Sequence, residues 1–500
     1  MASTSERVIA PTLSADSWPG LFDGDYRDGS GTVFAVDDPS TGQPFAHVSG
    51  ASPDQVSTLI GKAREAFDNG AWSGMPMAQR AEKLRAMLVW LRDNVERLTD
   101  IVVREAGLVR HSMLKYAQIE LAISQSEDII DLALTLPSIT DNPLPLSERY
   151  TARHSLQSFM LYEPVGVVAA IPAYNFPFWI AAWKVFPALI TGNTVVLRPS
   201  PLTPLSALML GEAAAAAGLP DGVLSVFTEG GHDGAILLTT DPRIDMVAFT
   251  GSSAVGRAVM KQASDTMKRL QLELGGKSAQ IYLPDAADMI PGAAGRVCFA
   301  HSGQGCSLGT RIFVPEADKP AILSAMASAL STAVVGPAED PATTVGPVIS
   351  RAQVERCESF VAAAVAAGGK VVAGGRRPPH LPDGFYFEPT ILDVPDHTNP
   401  AAREEIFGPV VCVIGYRDID HAVAMANDSP YGLSGHVFSK DLPRAMAVAA
   451  RLRTGTVNVN GGMMSAFASS GGRKLSGLGR ERGVEGLRIY QEAKCVSVTQ

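Results

Sequence analysis

Apolar positions along the chain change their period several times, and each change marks a different kind of element. Between residues 78 and 106, Leu84, Met87, Leu88, Leu91, Val95, Leu98 and Val102 recur at three- and four-residue steps. That spacing predicts one amphipathic helix with a single buried stripe. From 165 to 283 the pattern becomes short continuous apolar runs: VGVVAAIP, NTVVLRPS, GVLSVFT, MVAFTG and AQIYLP. Such runs suit parallel strands covered on both faces. The helix between the second and third runs opens at Thr203 and Pro204 and stops at Gly218, with cap chemistry at both ends. A doubly wound sheet follows. From 289 onward a second α/β unit is predicted, with helices near 320–332, 352–367, 419–427 and 442–452. Its strands fall near 310–314, 410–416, 435–438 and 456–459.

The flanks read differently. Residues 1–18 are polar and expected to be loosely held, and 21–50 alternate short β-type runs with Gly and Pro–Ser–Thr–Gly turns. A proline-rich break at 137–147 precedes a predicted strand pair that leaves the compact body, and the last residues end in another β-type run. A strand there has the right character to pair with the arm near 148–162, and exchange between subunits would cover both edges. A dimer or a dimer of dimers is therefore expected.

Composition narrows the function. Five hundred residues predict two or three domains, and 46% hydrophobic with 19% charged residues is a globular balance. The net charge of −9 offers no basic footprint for nucleic acid or an anionic membrane. The N-terminus lacks a basic start followed by an apolar core, so no secretory signal is read there. The most apolar stretch, 159–197, is interrupted by Glu163, Pro172, Asn175, Pro177, Lys184 and Pro187, which argues against a membrane helix. Five scattered cysteines with no C-x-x-C pair suggest neither disulfides nor a metal site, and fit a reducing cytoplasm.

One of those cysteines stands apart. Cys306 sits in AHSGQGCSLGT at 300–310, flanked by Gly303, Gly305 and Gly309, on backbone with few side chains to block approach. Cys298, Cys357 and Cys412 fall on apolar faces and read as core. Upstream, QLELGGKS places a carboxylate, Glu273, before two glycines, and IPAYNFPF places an amide, Asn175, among apolar residues and prolines. A nucleophile, a base and an oxyanion donor are the parts of covalent catalysis. There is no GxGxxG. FTGSSAVG at 249–256 instead turns a strand end into a helix over 254–267, capped by Ser252 or Ser253, with free N–H groups suited to a pyrophosphate.

Taken in order, YNFPF, LELGGKS, GQGCSLGTR, EEIFGPV and GGRKLSGLGRERG resemble the aldehyde dehydrogenase superfamily, over a span from about Leu21 almost to the C-terminus. The resemblance implies an α/β protein with a Rossmann-like doubly wound cofactor domain, 15–141 and 165–275, and a catalytic α/β domain, 276–475. It also implies a small β oligomerisation arm, 142–164 and 484–500. By the same resemblance, Cys306 is the nucleophile and Asn175 holds the oxyanion with the Cys306 main-chain N–H. Glu273 activates water, which favours a free acid over acyl transfer to coenzyme A. Lys184 would tune the base. Glu481 would relay protons, although a surface or structural glutamate is an equal reading.

For the cofactor, the resemblance places the dinucleotide phosphates at Gly251 and Ser252, with Ile171, Ser200 and Leu274 also along the cofactor site. Glu405 takes the nicotinamide ribose and Phe407 packs near the nicotinamide. Arg198 replaces a lysine that serves the adenosine ribose, and Pro201 stands where NAD-preferring members often carry a glutamate. Cofactor choice stays open between NAD and NADP, since Arg198 could attract a 2′-phosphate. No metal is expected. Some of Phe176, Phe178, Trp179, Ile180 and Trp183 should face the substrate tunnel, with Met463, Met464 and Phe467 at its mouth. Ser469–Ser470 replace a common Pro–Phe pair, and no arginine stands out to grip a carboxylate, so neutral aliphatic or aromatic aldehydes are expected. The competing reading is a cysteine hydrolase or acyltransferase with His301 as its base and no redox step.

Overall fold

The computed structural model describes residues 17–145, 156–462 and 465–499. The N-terminal residues 1–16, residues 146–155 of the expected arm, Met463 and Met464 lie outside the described residues.

Five parallel strands form the centre of an eight-stranded sheet, ordered Arg269–Glu273, Met246–Thr250, Val167–Ile171, Thr194–Leu197 and Leu224–Phe227. Four of them are the predicted apolar runs, buried on both faces. Strand order reverses beside Val167–Ile171, because the chain builds outward through 194 and 224, then returns to its other side at 246. A crevice therefore opens beyond the carboxyl ends of Val167–Ile171 and Met246–Thr250, the usual ligand position in such sheets. Leu21–Phe22 and Tyr26–Arg27 extend one edge antiparallel. Val33–Asp38 and Gln43–Ser49, two of the short β-type runs in 21–50, form a hairpin, which Ser17–Pro19 joins in parallel.

Two elements depart from expectation. AQIYLP belongs to a second, seven-stranded sheet, where Ala279–Tyr282 pairs in parallel with Arg311–Pro315 and Ser434–Phe438. Apolar runs show burial but not which sheet buries them. The place of AQIYLP in the first sheet is taken by Arg269–Glu273, whose Arg, Gln and Glu hid it from a search for apolar runs.

The helix over 78–106 is two helices, Met77–Asp93 and Val95–Ala106. Asn94 leaves helical geometry at φ −111° and ψ 20°, and its Nδ2 donates to the Trp90 carbonyl at 2.8 Å. A local side-chain bond of this kind competes with the helical ladder. The apolar stripe continues across the break, so periodicity alone cannot reveal it. Leu84, Leu88, Leu91, Leu98 and Val102 all enter one core.

Gln491–Thr499 pairs antiparallel with Leu156–Pro164, which also carries Ile139–Asp141 on its other edge. The C-terminal strand and the arm thus meet within one chain. Among the described residues, no helix is long and apolar enough to cross a membrane.

Candidate active site

Three chain segments converge from opposite sides of the crevice. Asn175 follows the Val167–Ile171 strand and precedes the helix Pro177–Ile190, whose proline at the first turn fixes where the helix begins. Glu273 is the last residue of its strand rather than part of a loop, and the two-residue period puts Gln271 on the same face. Cys306 lies beyond the short turn His301–Gly303, where His301, Ser302 and Gly303 hold φ values of 49°, 53° and 74°. His301 and Ser302, side-chain-bearing residues held left-handed, store strain that surrounding contacts must hold. Ser302 Oγ donates to the Gly346 carbonyl at 2.7 Å. A Cβ on Gly303 would lie 2.0 Å from the Gly408 oxygen, so glycine alone fits there.

Asn175 Nδ2 donates to the carbonyl of Gln304, two residues before Cys306, at 2.8 Å. Asn175 is buried and Cys306 half-buried, and both line a cleft of about 1270 Å³ that runs to Gly251 and Ser252. Burial pushes the Cys306 thiol up to about 12, aided by the negative charges of Glu405, Glu273 and Glu481.

Behind it, Glu273 is buried with Oε1 lacking a hydrogen-bond partner. Burial raises its carboxyl well above the usual range, and the neighbouring Glu481 adds to the rise. Lys184, Arg480 and Arg482 pull the other way. Lys184 Nζ donates to Glu481 Oε1 at 2.7 Å and to Gln271 Oε1 at 3.5 Å. Glu481 is therefore an interior residue, and its reading as a surface glutamate does not hold. Its segment is held by Ser470, whose N–H and carbonyl pair with Glu481 and whose Oγ accepts from Arg482 Nε at 3.1 Å.

The chain from 26 to 496 matches the family model described as the aldehyde dehydrogenase family. Betaine aldehyde dehydrogenase 1 of Oryza sativa subsp. japonica is 35% identical over 493 residues, covering 96% of this chain and 95% of that protein. Geranial dehydrogenase of Castellaniella defragrans is 36% identical over 459 residues, 91% of this chain and 93% of its own. The chain belongs to the aldehyde dehydrogenase family. Among solved structures, a mutant aldehyde dehydrogenase C from Pseudomonas syringae, complexed with NAD+ and octanal, superposes with a TM-score of 0.90 at 35% identity. That match covers 98% of both chains. Betaine aldehyde dehydrogenase from Staphylococcus aureus in complex with NAD+ gives 0.91 at 32% identity, covering 96% of this chain and 94% of the other.

The cleft of this aldehyde dehydrogenase has the fittings of a dinucleotide site. Ser252 caps the helix Ser253–Ala263, its Oγ accepting from Val255 N–H at 3.3 Å, with the helix start facing the cleft. Ile171, Ser200 and Leu274 line the walls. A Cβ on Gly275 would meet Glu405 Oε2 at 2.4 Å, so backbone approaches that carboxylate as closely as glycine permits. Glu405 Oε1 accepts from Gly276 N–H at 2.8 Å. Phe407 meets Tyr174 edge to face at 5.9 Å, and Gln353 Nε2 anchors the carbonyls of Ile406 and Phe407 at 2.8 and 3.0 Å.

Arg198 lines the cleft but is not a free cation. Its Nε donates to Glu229 Oε1 at 2.9 Å and its terminal nitrogen to the Gly231 carbonyl at 2.7 Å. A 2′-phosphate would have to compete with Glu229 for Arg198, and that partner, 31 residues away, showed no signal in the sequence.

Along the helix Pro177–Ile190, Phe178 and Ile180 are core residues, whereas Phe176, Trp179 and Trp183 are half-buried and form a chain of rings. Their centroids lie 5.8 and 4.7 Å apart, and Arg482 sits 4.6 Å over Trp183. Phe467 is exposed. Arg480, Arg482, Gln271, Gln304 and Glu229 all escaped sequence reasoning. Only Gln271 had a readable signal, its alternation with Glu273.

Proposed function

We propose that this enzyme oxidises a neutral aliphatic or aromatic aldehyde to its carboxylic acid with NAD, through covalent catalysis at Cys306. The observation that carries the reading is the bond from Asn175 to the carbonyl two residues before Cys306, in the same cleft as the Ser252 helix start.

The Cys306 thiol gives its proton to water in the open cleft, and the thiolate sulfur bonds to the aldehyde carbon as the carbonyl π pair moves to oxygen, giving a thiohemiacetal oxyanion. One Asn175 amide hydrogen is taken by Gln304, and the other, with the Cys306 main-chain N–H, holds the oxyanion. Bound beside Glu405 and Phe407, the dinucleotide supplies the acceptor for the hydride that leaves this carbon. Cys306 then carries a thioester. Glu273 takes a proton from water as its oxygen bonds to the carbonyl carbon. The carbon–sulfur bond breaks and the acid leaves. Lys184 and Glu481 give that proton a buried polar route away from the site.

Several features support the substrate class. Phe176, Trp179 and Trp183 offer an apolar wall, and Arg482 is held by Ser470 and Trp183, not free for a carboxylate. One relative is named for geranial and one solved neighbour holds octanal, both neutral aldehydes, whereas betaine aldehyde, for which another relative is named, carries a quaternary ammonium cation. Five free cysteines suit a reducing cytoplasm. The paired strands Leu156–Pro164 and Gln491–Thr499 leave an edge through which a homodimer or homotetramer can form.

Burial lowers His301 to about 4, so it is a feeble base at neutral pH and the hydrolase reading loses its catalyst. The test is absorbance of reduced cofactor with NAD and NADP across an aldehyde panel, for wild type and Cys306→Ala. We expect NAD reduction with medium-chain and aromatic aldehydes, weak turnover of succinic semialdehyde, and none in C306A. Ester cleavage indifferent to dinucleotide, with no NAD reduction, would sink the proposal.

A further inference from the structure

Gln304 is fully buried, and every polar atom it carries is used. Its Nε2 donates to the His301 carbonyl at 3.1 Å, and its Oε1 accepts from Ile349 N–H at 2.9 Å. Its own main-chain N–H returns to the His301 carbonyl at 3.1 Å, and its carbonyl accepts from Asn175 Nδ2. The side chain thus ties the end of the left-handed turn to the loop at 349, while the carbonyl faces the candidate oxyanion donor.

The carbonyl has a consequence for Asn175. A primary amide presents oxygen on one side and nitrogen on the other with nearly the same shape, so packing alone does not choose its orientation. Rotated end for end, Asn175 would set its oxygen against the Gln304 oxygen, two acceptors facing each other with no proton between them. Only the observed orientation gives that carbonyl a donor. It also leaves the second amide hydrogen uncommitted.

The turn needs holding, since φ values of 49° and 53° at the non-glycine residues His301 and Ser302 persist only where neighbours enforce them. We propose that Gln304 is a positioning residue: its side chain clamps the turn so that its carbonyl orients the Asn175 amide, with one N–H directed to the substrate oxygen beside Cys306. This rests on the reading that Asn175 holds the oxyanion.

The experiment is a double-mutant cycle on the full enzyme with Asn175→Ala and Gln304→Met, reading the pre-steady-state burst of reduced cofactor and the Kd for NAD. Met keeps the volume and removes both side-chain bonds. We expect Q304M to slow the burst by about 10- to 100-fold, the scale of a misplaced catalytic group, with Kd unchanged. In the N175A background the same change should cost less than about twofold, because the residue it positions is gone. Should Q304M not fold, Gln304→Glu is read through the same cycle, since it keeps the size and the Ile349 bond but opposes the His301 carbonyl. Losses that multiply, or a weakened Kd that accounts for the slower burst, overturn the positioning role alone. A wild-type burst in N175A overturns the oxyanion reading, and this one with it.

Discussion

Lys184 Nζ lies 2.7 Å from Glu481 Oε1 in the interior, joining residues 297 positions apart. Lys184 has no exposed surface. Taking two charges out of water costs several kcal/mol per ion, roughly repaid only when geometry is good and further hydrogen bonds are present. Gln271 supplies one such bond. The same two charges act in opposite senses on Glu273 beside them, and that makes the pair an adjustable setting for the base.

The sign of that setting can be measured. Glu273 is held above the carboxylate range by burial and by Glu481, and pulled down by Lys184, Arg480 and Arg482. Glu481→Gln removes a like charge, so the Glu273 proton should leave more readily. The rising limb of kcat against pH should move to lower pH. Lys184→Met should move it the other way, and should also lower thermal stability by about 3–5 kcal/mol, because Glu481 is left buried and unpaired. Limbs that coincide for E481Q and wild type would remove Glu481 from the base's surroundings.

Asn175→Ala should reduce kcat by roughly 10²–10³-fold, the usual loss for one oxyanion donor. KM for NAD should hold, since Asn175 bonds the Cys306 loop rather than the helix at Ser252. Stopped-flow hydride transfer separates this from a slow deacylation. A reduced hydrolysis step with a normal burst would place Asn175 in a different role.

Much of this site was readable before its geometry. Gly303, Gly305 and Gly309 around Cys306 announce unusual backbone, and Gly303 indeed occupies a left-handed position closed to any Cβ. Lys184 in an apolar run announces a partner without naming it. What stayed hidden depends on distance in sequence. Glu229 clamping Arg198, Arg482 on Trp183 and Gln304 under Asn175 are tertiary pairings that leave no local pattern. The break at Asn94 was hidden for another reason. The stripe from Leu84 to Val102 serves one core whether or not the backbone bends, so burial was legible and continuity was not.

Arg198 and Glu229 set an expectation for cofactor choice. Glu229 also accepts from Gly234 and Ala235 N–H at 2.7 and 2.9 Å, so it is fixed from two sides and keeps the guanidinium turned to itself. A 2′-phosphate would have to compete with that carboxylate. Wild type should prefer NAD. Glu229→Gln keeps an acceptor for the helix start but releases the charge, and the NADP to NAD ratio of kcat/KM should rise on the order of tenfold, within the ~1.5–3 kcal/mol of one charged hydrogen bond. Parallel initial-rate series with both nucleotides decide it, and an unchanged ratio would show that Arg198 does not reach the ribose.

The last expectation concerns stability, far from the chemistry. Glu105 is fully buried, and its carboxylate oxygens accept from the N–H groups of Leu205 and Ser206 at 2.7 and 3.2 Å, at the start of the helix Leu205–Ala216. Burial raises its carboxyl from 4.5 to about 7, although those bonds pull it down. The folded state therefore holds this proton more tightly than the unfolded chain does. The resulting stability is present in full below pH 4.5, declines as pH rises toward about 7, and is gone above it. A shift of that size corresponds to ~3 kcal/mol across the window. Glu105→Gln cannot titrate, so the difference in Tm between variant and wild type should change across this window in favour of the variant as pH rises, then level off. Other groups titrate there too, but they are common to both proteins and cancel in the difference. Melting curves that stay parallel from pH 4.5 to pH 7 would mean that the helix start, not burial, governs Glu105, with its carboxylate charged throughout.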